Sequence, residues 1–383
     1  MFHDRRLLTP VAGLTVAVLI GACTTGAAPG WKFDATGATG AAAPAASAAT
    51  TAPAATPTSA PAKADPAMAM NGGMSMPMPA ASSPAAAPAP DPNAPAPVRF
   101  DPAAPAVLPG TVHDISMPII EKDLVVAKGF VVHAWTFGGT VPGPTIRVHL
   151  GDTVRVHLTN TGQMPHSIDF HASQTAMNDQ MVEIKPGATF TYTFKADYAG
   201  VWMYHCGTAP ALHHIANGMF GMVIVEPKGG LPKVDAEYAF VQSEWYLGAQ
   251  GQPADYVKAS AAAPSPDFVV FNGVANQYKD APIKVPTAKR IRVFVLDAGP
   301  NVDSSFHVVG TIFDTVIKEG IVLQRGNAGG WGSQAVDLAP AQAAIIEFQT
   351  AEDGMYPFVT HAFNLVNLGA IGVFESGDGD PKN

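Results

Sequence analysis

The sequence VWMYHCG, residues 201–207, ends in a histidine–cysteine pair that is followed by His214 and Met219. Cys206, His214 and Met219 offer a thiolate, an imidazole and a thioether on one short segment. With a second histidine from elsewhere, they form the trigonal ligand set with a weak axial methionine that selects copper for electron transfer. Each residue alone is more often part of a core, but their order and spacing favour a copper site.

The residues on either side of this segment have the pattern of an all-β protein. Short segments of alternating apolar residues are separated by Gly, Pro and Asn, with little helical periodicity, which is typical of β-sandwiches. The strands that this pattern predicts most clearly are Leu124–Val126, Val131–Phe137, Thr145–Leu150, Thr153–Leu158, Thr189–Phe194, Val201–His205 and Met222–Val225.

An internal repeat indicates two copies of one sandwich. PTIRV at 144–148 and TVRV at 153–156 recur as APIKV at 281–285 and RIRV at 290–293, and NGMFG at 217–221 recurs as LGAIG at 368–372. We place the two domains at residues 99–228 and 229–378. The second copy has neither Cys nor Met at the positions that match Cys206 and Met219, so it cannot hold the same kind of copper site.

Strand geometry predicts a second metal site next to the first. Side chains alternate across a strand, so His205 and Cys206 should point to opposite faces. Applied to the segment before them, the rule puts His166 with Cys206, and Asp169 and His171 with His205. His166 then completes the first site. A second copper would have only imidazole ligands, with Asp169 beside it and a third ligand still to be found. A metal with three protein imidazoles and an open position is a reactive site rather than a structural one.

The N-terminus has the pattern of an export signal, residues 1–23. Arg5 and Arg6 precede an apolar run that is shorter than the roughly 20 residues of a spanning helix. IGAC at 20–23 resembles a bacterial lipobox, which predicts diacylation of Cys23. A transmembrane anchor and a twin-arginine signal are the alternatives. We expect an exported protein in the periplasm or cell envelope, anchored by lipid to the outer membrane.

Residues 24–98 are rich in Ala, Pro, Ser and Thr, a composition that predicts a disordered tether. It contains a methionine cluster that is either a soft Cu(I) acceptor or low-complexity sequence. The cluster consists of Met68, Met70, Met74, Met76 and Met78.

Charge and cysteine content narrow the possible partners. The formal net charge is −9 and no basic patch is present, so nucleic acid is not an expected partner. Cys23 and Cys206 are the only cysteines, and no disulfide is expected if one carries lipid and the other binds metal.

Six motifs together resemble the copper-containing dissimilatory nitrite reductases, and most closely their compact, lipid-anchored branch. The likeness covers residues 100–376 and implies two tandem cupredoxin-like Greek-key β-sandwiches. The motifs are MPH at 164–166, DFH at 169–171, YHC at 204–206, HIANGM at 214–219, SSFHVVG at 304–310 and VTH at 359–361.

The resemblance implies two coppers in each subunit of a homotrimer. It implies that the third type 2 ligand, His361, comes from the neighbouring subunit. The implied type 1 ligands are His166, Cys206, His214 and Met219, and the implied type 2 ligands are His171, His205 and His361.

The resemblance also implies an activity, the reduction of nitrite to nitric oxide and water, in denitrification or in nitrite detoxification, with electrons from a separate cupredoxin or c-type cytochrome. Asp169 and His307 would handle protons and Val309 would shape the substrate pocket. The alternatives are that Asp169 only orients a ligand histidine and that His307 is a core residue. His213 and Ile312 depart from the family pattern, so His213 is a possible alternative ligand.

Two other functions compete with this one. A two-domain multicopper oxidase, laccase-like, needs a trinuclear cluster that is usually built from His-x-His pairs. The chain has 12 histidines, and no two are separated by a single residue. A non-catalytic copper electron-transfer lipoprotein would be expected to lack Asp169, His307 or His361, and all three are present.

Overall fold

A computed structural model describes residues 86–326 and 328–379 of the chain. The predicted signal, Cys23 and the methionine cluster lie outside these residues. None of the helices that the structure describes has the length and apolar character needed to cross a membrane.

Residues 112–226 are mainly strands. Their elements are β1 (Val112–Ala127), β2 (Phe130–Phe137), β3 (Ile146–His149), β4 (Thr153–Asn160), β5 (Asp169–Phe170), α1 (Met177–Gln180), β6 (Thr189–Lys195), β7 (Gly200–His205), α2 (Ala211–Ala216) and β8 (Phe220–Glu226).

The described part of residues 236–376 is also built from strands. Its elements are β9 (Ala236–Trp245), α3 (Tyr256–Ala259), β10 (Phe268–Phe271), α4 (Gln277–Asp280), β11 (Ala281–Val285), β12 (Arg290–Asp297), β13 (Ser304–Val308), β14 (Thr315–Lys318), β15 (Ile321–Gln324), a 3-10 turn (Ala328–Gly330), β16 (Ala335–Leu338), β17 (Ala343–Gln349), β18 (Gly354–Thr360), α5 (Phe363–Val366) and β19 (Ile371–Ser376).

The strands form four sheets, two from each half of the described chain. The first half has the orders β2-β1-β4-β6 and β3-β8-β7-β5, and the second half has β10-β9-β12-β17-β14-β15 and β11-β19-β18-β13-β16. The alternation of residues in β4 explains why this segment forms a strand of a sandwich. Val154, Val156 and Leu158 are buried in a core shared with Cys206, while the residues between them face outward. The predicted all-β class is confirmed, and each of the seven predicted strands overlaps an observed one.

The largest difference from the sequence analysis is the length of β1. The predicted strand covered three residues, whereas β1 has 16 residues and pairs with both β2 and β4. Its sequence, VHDISMPIIEKDLVVA, has polar residues at many positions, so no clean alternation marks it. Pairing with strands on both sides stabilises it instead.

A hydrophobic cluster joins the two halves of the chain. Val201, Met203 and Phe220 of the first half pack in one buried cluster with Phe294 and Ile345 of the second. β7, the strand that carries His205, therefore rests on the second sandwich as well as on its own.

A chain of buried ion pairs crosses the same boundary. Arg147 contacts Glu226 at 2.5 Å and Glu237 at 2.8 Å, and Arg292 contacts Glu237 at 2.6 Å and Glu347 at 2.5 Å. Glu237, the shared partner, has its pKa lowered: burial would raise it, but hydrogen bonds from Arg147 and Arg292 outweigh that effect. One carboxylate thus links an arginine of each sandwich.

Replacing Arg292 with methionine should lower the free energy of unfolding by about 3 kcal/mol, because Glu237 and Glu347 each lose one of their two arginine partners while they stay largely out of water. Urea-induced unfolding of the metal-free protein measures this change. Lys318 is the matched control, since its partner Asp337 is exposed, and its replacement by methionine should cost less than about 1 kcal/mol. Equal losses in both variants would contradict a role for the buried network.

Residues that precede β1 form hydrogen bonds with both sandwiches. The amide of Asp91 donates to the Gly129 carbonyl at 2.7 Å, Gln250 Nε2 donates to the Ala89 carbonyl at 2.8 Å, and the Tyr278 hydroxyl donates to the Phe100 carbonyl at 3.0 Å. Ala89 and Asp91 lie within the predicted tether, so attachment to the sandwiches begins before the predicted boundary at residues 98–99.

Candidate metal centres

The first cluster of ligand atoms is fully buried and consists of His166, Cys206 and His214. The Nδ1 atoms of His166 and His214 are 3.1 Å apart, and Cys206 Sγ lies 3.3 Å from His214 Nδ1. One thiol and two imidazole nitrogens therefore point at a common centre.

Backbone hydrogen bonds hold the loop that carries three of the predicted ligands. Cys206 follows the last residue of β7, and His214 lies on α2. The Cys206 amide donates to the Met219 carbonyl at 3.1 Å, and the Met219 amide donates to the His214 carbonyl at 3.1 Å. Met219 is fully buried in the same cluster as Cys206. The loop thus closes on itself and keeps the three residues together.

The two imidazoles of the buried cluster are in the protonation state that a metal needs. Burial, with smaller effects of His166 and His213, lowers the pKa of His214 to about 3. Burial also lowers the pKa of His166, although Glu121 opposes the change. Both imidazoles are therefore neutral, which is the form that binds metal ions. Burial raises the pKa of the Cys206 thiol, so a bound metal would have to displace its proton. Two neutral imidazoles, the resulting thiolate and a methionine are the donor set that copper prefers for electron transfer.

The second cluster is half-buried and consists of Asp169, His171 and His205. The Nε2 atoms of His171 and His205 are 3.0 Å apart, and Asp169 Oδ2 lies 3.9 Å from each of them. Burial and the neighbouring His205 lower the pKa of His171, while Asp169 acts in the opposite direction. Two imidazoles facing one point beside a carboxylate fit a copper with an incomplete protein ligand set.

The pairing of β5 with β7 builds this second cluster. Asp169 lies directly opposite His205 across the two strands, and the His171 amide donates to the Met203 carbonyl at 3.0 Å. The prediction of one alternating strand through His166 and His171 differs from the structure, because β5 covers only two residues. His166 instead exchanges backbone hydrogen bonds with Ile184.

A single peptide unit joins the two clusters. His205 Nδ1 lies 3.0 Å from the Cys206 carbonyl oxygen. That oxygen can only accept, so Nδ1 carries the proton and Nε2 keeps its lone pair for a metal. His205 of the second cluster and Cys206 of the first are therefore linked by a peptide bond and by a hydrogen bond.

His361 and His307 lie elsewhere, on the second sandwich. The rings of His361 and His307 are 5.4 Å apart, and His307 Nδ1 donates to the Gln334 carbonyl. His361 is exposed just after β18, where its amide donates to the Ser305 carbonyl at 2.7 Å. Within the described ranges, the chain does not bring His361 into ligand distance of His171 and His205.

His213 is turned away from the first cluster. Its Nε2 donates to the Ala254 carbonyl at 2.9 Å, and its ring lies 5.0 Å from the ring of Trp135 and 5.4 Å from that of Tyr256. This histidine therefore anchors α2 to the second sandwich, and the hydrogen bond argues against its being an alternative ligand.

Two residues of the first cluster's surroundings were missed by the sequence analysis. The Trp135 ring lies 5.6 Å from the His166 ring and 4.8 Å from the His214 ring, and Glu121 Oε1 lies 3.3 Å from His166 Nε2. Both residues come from the β1–β2 pair, far from the ligands in sequence. No local motif marks them, so only the fold could reveal their position.

Comparisons with known proteins agree with this geometry. A family model described as multicopper oxidase matches residues 120–230. A copper-containing nitrite reductase of Neisseria meningitidis serogroup B is 41% identical over 268 residues, covering 67% of each chain.

Solved structures are similar to this chain across both sandwiches. A copper nitrite reductase from Nitrosomonas europaea has 34% identity and a TM-score of 0.64, covering 71% of this chain and 96% of that one. A multicopper oxidase has 29% identity and a TM-score of 0.62, covering 73% of this chain and 94% of that one. Because the match to the Neisseria reductase reaches 41% identity over 67% of each chain, the chain belongs to the copper-containing nitrite reductase family.

Proposed function

We propose that the protein is a copper-dependent nitrite reductase that converts nitrite to nitric oxide and water with one electron and two protons. The observation that carries this proposal is the linkage of the two ligand clusters through His205 and Cys206. Copper would supply redox capacity at the buried cluster and Lewis acidity at the half-buried one.

The two clusters differ in the way that this reaction requires. His166, Cys206 and His214 are buried, so they exclude nitrite and water and serve as the type 1, electron-accepting centre. His171 and Asp169 are partly open to solvent, which lets a small anion approach the type 2 centre. The peptide between Cys206 and His205 is the shortest route for an electron from one to the other.

Asp169 is placed to handle a proton of the reaction. Its Oδ2 is 3.9 Å from both ligand nitrogens of the second cluster. A carboxylate at that distance can reach a bound oxygen directly or through one water, as a general acid or base must. We assign the second proton-handling role to His307, and the shaping of the pocket to Val309.

The exposed position of His361 supports a site that is shared between subunits of a homotrimer. Phe363 is 58% exposed beside it, and Val309 and Ile312 are 42% and 60% exposed on the same sandwich. An exposed histidine packed against an exposed phenylalanine, on a sandwich with further exposed apolar side chains, fits a surface that another copy covers. His361 would then complete the His171–His205 pair of the neighbouring subunit and bring His307 with it.

We extend the proposal to the cellular setting. A cupredoxin or c-type cytochrome would supply the electron, and a lipid on Cys23 would hold the protein at the outer membrane by the tether. These assignments rest on the motif at residues 20–23 and on the family likeness.

The multicopper oxidase alternative is less supported. Such an enzyme needs a trinuclear copper cluster, and the chain lacks the His-x-His pairs that usually build one. In the described residues, the groups able to hold a metal are the two clusters above.

The proposal is tested by nitric oxide release from the copper-loaded full chain, on an electrode under anaerobic conditions, with nitrite and a reduced donor. Sustained release that stops when copper is removed and returns when it is restored would support it. Oxygen consumption with a phenol and no nitric oxide from nitrite would favour the oxidase instead.

Asp169→Asn should slow nitrite reduction by about 10²- to 10⁴-fold with both coppers retained, because the amide cannot transfer a proton. Turnover across pH, together with metal analysis, measures the effect. Asp114→Asn is the control, since Asp114 is a half-exposed carboxylate that also contacts a histidine, His157. A variant with an unchanged rate at every pH would argue against the proton role of Asp169.

A further inference from the structure

Glu121 lies beside the buried metal cluster and has three contacts there. Its side chain is 7% exposed, and Oε1 lies 3.3 Å from His166 Nε2. The same oxygen accepts the amides of Gln163 and Met164, both at 2.8 Å. One carboxylate therefore contacts both a ligand ring and the backbone that leads to it.

These contacts determine which nitrogen of His166 can bind a metal. Nδ1 faces His214 Nδ1 and the common centre, while Nε2 faces Glu121. A carboxylate oxygen accepts a hydrogen bond, so the proton of a neutral His166 ring lies on Nε2 and the lone pair lies on Nδ1. Such a partner fixes the tautomer and the ring orientation of a ligand histidine and raises its basicity.

We infer that Glu121 is a positioning residue that selects the metal-binding tautomer of His166 and lowers the reduction potential of the type 1 copper. This inference rests on the type 1 assignment proposed above. A negative charge near the centre favours the more positive, oxidised ion, and at a buried site salt screens that attraction weakly.

The surrounding fold supports this role. Glu121 is paired across strands with Trp135, whose ring contacts both His166 and His214. β1 and β2 thus bring a carboxylate and an indole side by side to the two imidazoles. Gly162 leaves the space that Glu121 needs, because a Cβ there would lie 2.3 Å from Glu121 Oε1.

The loop before His166 has a second support that does not involve Glu121. Asn160 is buried, and its Nδ2 donates to the carbonyls of Met164 at 2.7 Å and Ile184 at 2.8 Å. Its Oδ1 accepts the Gly162 amide at 3.0 Å. A change at Glu121 can therefore alter the ligand ring while the loop keeps its course.

The test is Glu121→Gln in the copper-loaded full chain. Glutamine keeps an oxygen for the Gln163 and Met164 amides but removes the charge. We expect a more positive midpoint potential of the type 1 copper, measured by redox titration of its thiolate-to-copper absorption band. We also expect an altered electron paramagnetic resonance spectrum and about 10- to 100-fold weaker binding of type 1 copper.

Asp123→Asn is the matched control, because Asp123 lies on the same strand and pairs with a histidine, His133, at an exposed site. The midpoint potential of the type 1 copper in Asp123→Asn should equal that of the wild type. Glu121→Asp keeps the charge on a shorter side chain, so the potential of its type 1 copper should shift less than that of Glu121→Gln. The aspartate variant also provides the comparison if the glutamine variant does not fold.

Potentials for Glu121→Gln and Glu121→Asp that match the wild type would overturn this inference alone. If the wild-type protein itself lacked the thiolate-to-copper band, the type 1 assignment and this inference would both be overturned.

Discussion

His361→Ala should abolish nitrite reduction and the binding of type 2 copper while leaving the thiolate-to-copper absorption of the type 1 site intact. The physical reason is the ligand count at the half-buried cluster. His171 and His205 provide two imidazoles, and a copper without its third imidazole is held weakly. Metal analysis, absorption spectra and nitric oxide release from the same preparation measure all three effects.

His157→Ala is the control for this change, because His157 is a half-exposed histidine whose ring bonds to Asp114 and Thr191. It should retain both coppers and the full rate. A His361→Ala protein that keeps its type 2 copper and its activity would show that the third ligand has been misassigned.

Mixing two inactive subunits distinguishes a shared site from a site within one chain. His361→Ala keeps the His171–His205 pair, and His171→Ala keeps His361. If subunits of a trimer complete one another's sites, co-produced variants should recover part of the activity that each lacks alone. A site formed within one chain would recover none, since every copy would then be defective.

Cys206→Ser should remove the type 1 absorption and reduce donor-dependent nitrite reduction to background. Serine has nearly the same volume, but its hydroxyl is a hard, weakly acidic donor that does not replace a thiolate on copper. The type 2 copper should remain, because His171, directly after β5, and His205, at the end of β7, keep their positions. Stopped-flow mixing with the reduced donor, with type 2 occupancy determined in parallel, separates the two effects.

Ser167→Ala is the matched control, because it removes only the Ser167 hydroxyl, 3.9 Å from Cys206 Sγ, and not the Ser167 amide, whose nitrogen is 3.4 Å from Sγ. Alanine keeps that amide, so the absorption band should persist. A Cys206→Ser protein that still accepted electrons from the donor at the wild-type rate would exclude Cys206 as the point of entry.

The local structure of the loop from Cys206 to Met219 could be predicted from sequence because its candidate ligands lie close together in the chain. Cys206, His214 and Met219 are joined by one short helix and two backbone hydrogen bonds, so their spacing already implies their proximity. The all-β class was equally accessible, since alternation of apolar residues reflects which side chains enter a core.

Other parts of the site depended on long-range pairing. Glu121 is 45 residues from His166 in sequence, and it reaches the ring only because β1 lies beside β2 and β4. His213 could have been a ligand by its position next to His214, but its contact with Ala254 directs it to the other sandwich. Strand register and domain packing decided both cases.

Sequence alone therefore determined the candidate ligand residues, the duplication of the sandwich and the loop from Cys206 to Met219. Tertiary structure decided the register that sets Asp169 directly opposite His205, the contacts of Glu121 and Trp135 with the buried histidines, and the buried arginines that join the two sandwiches. The reason is physical. Ligand chemistry belongs to individual residues, whereas the neighbours of a ligand are set by hydrogen-bonded register between strands far apart in the chain.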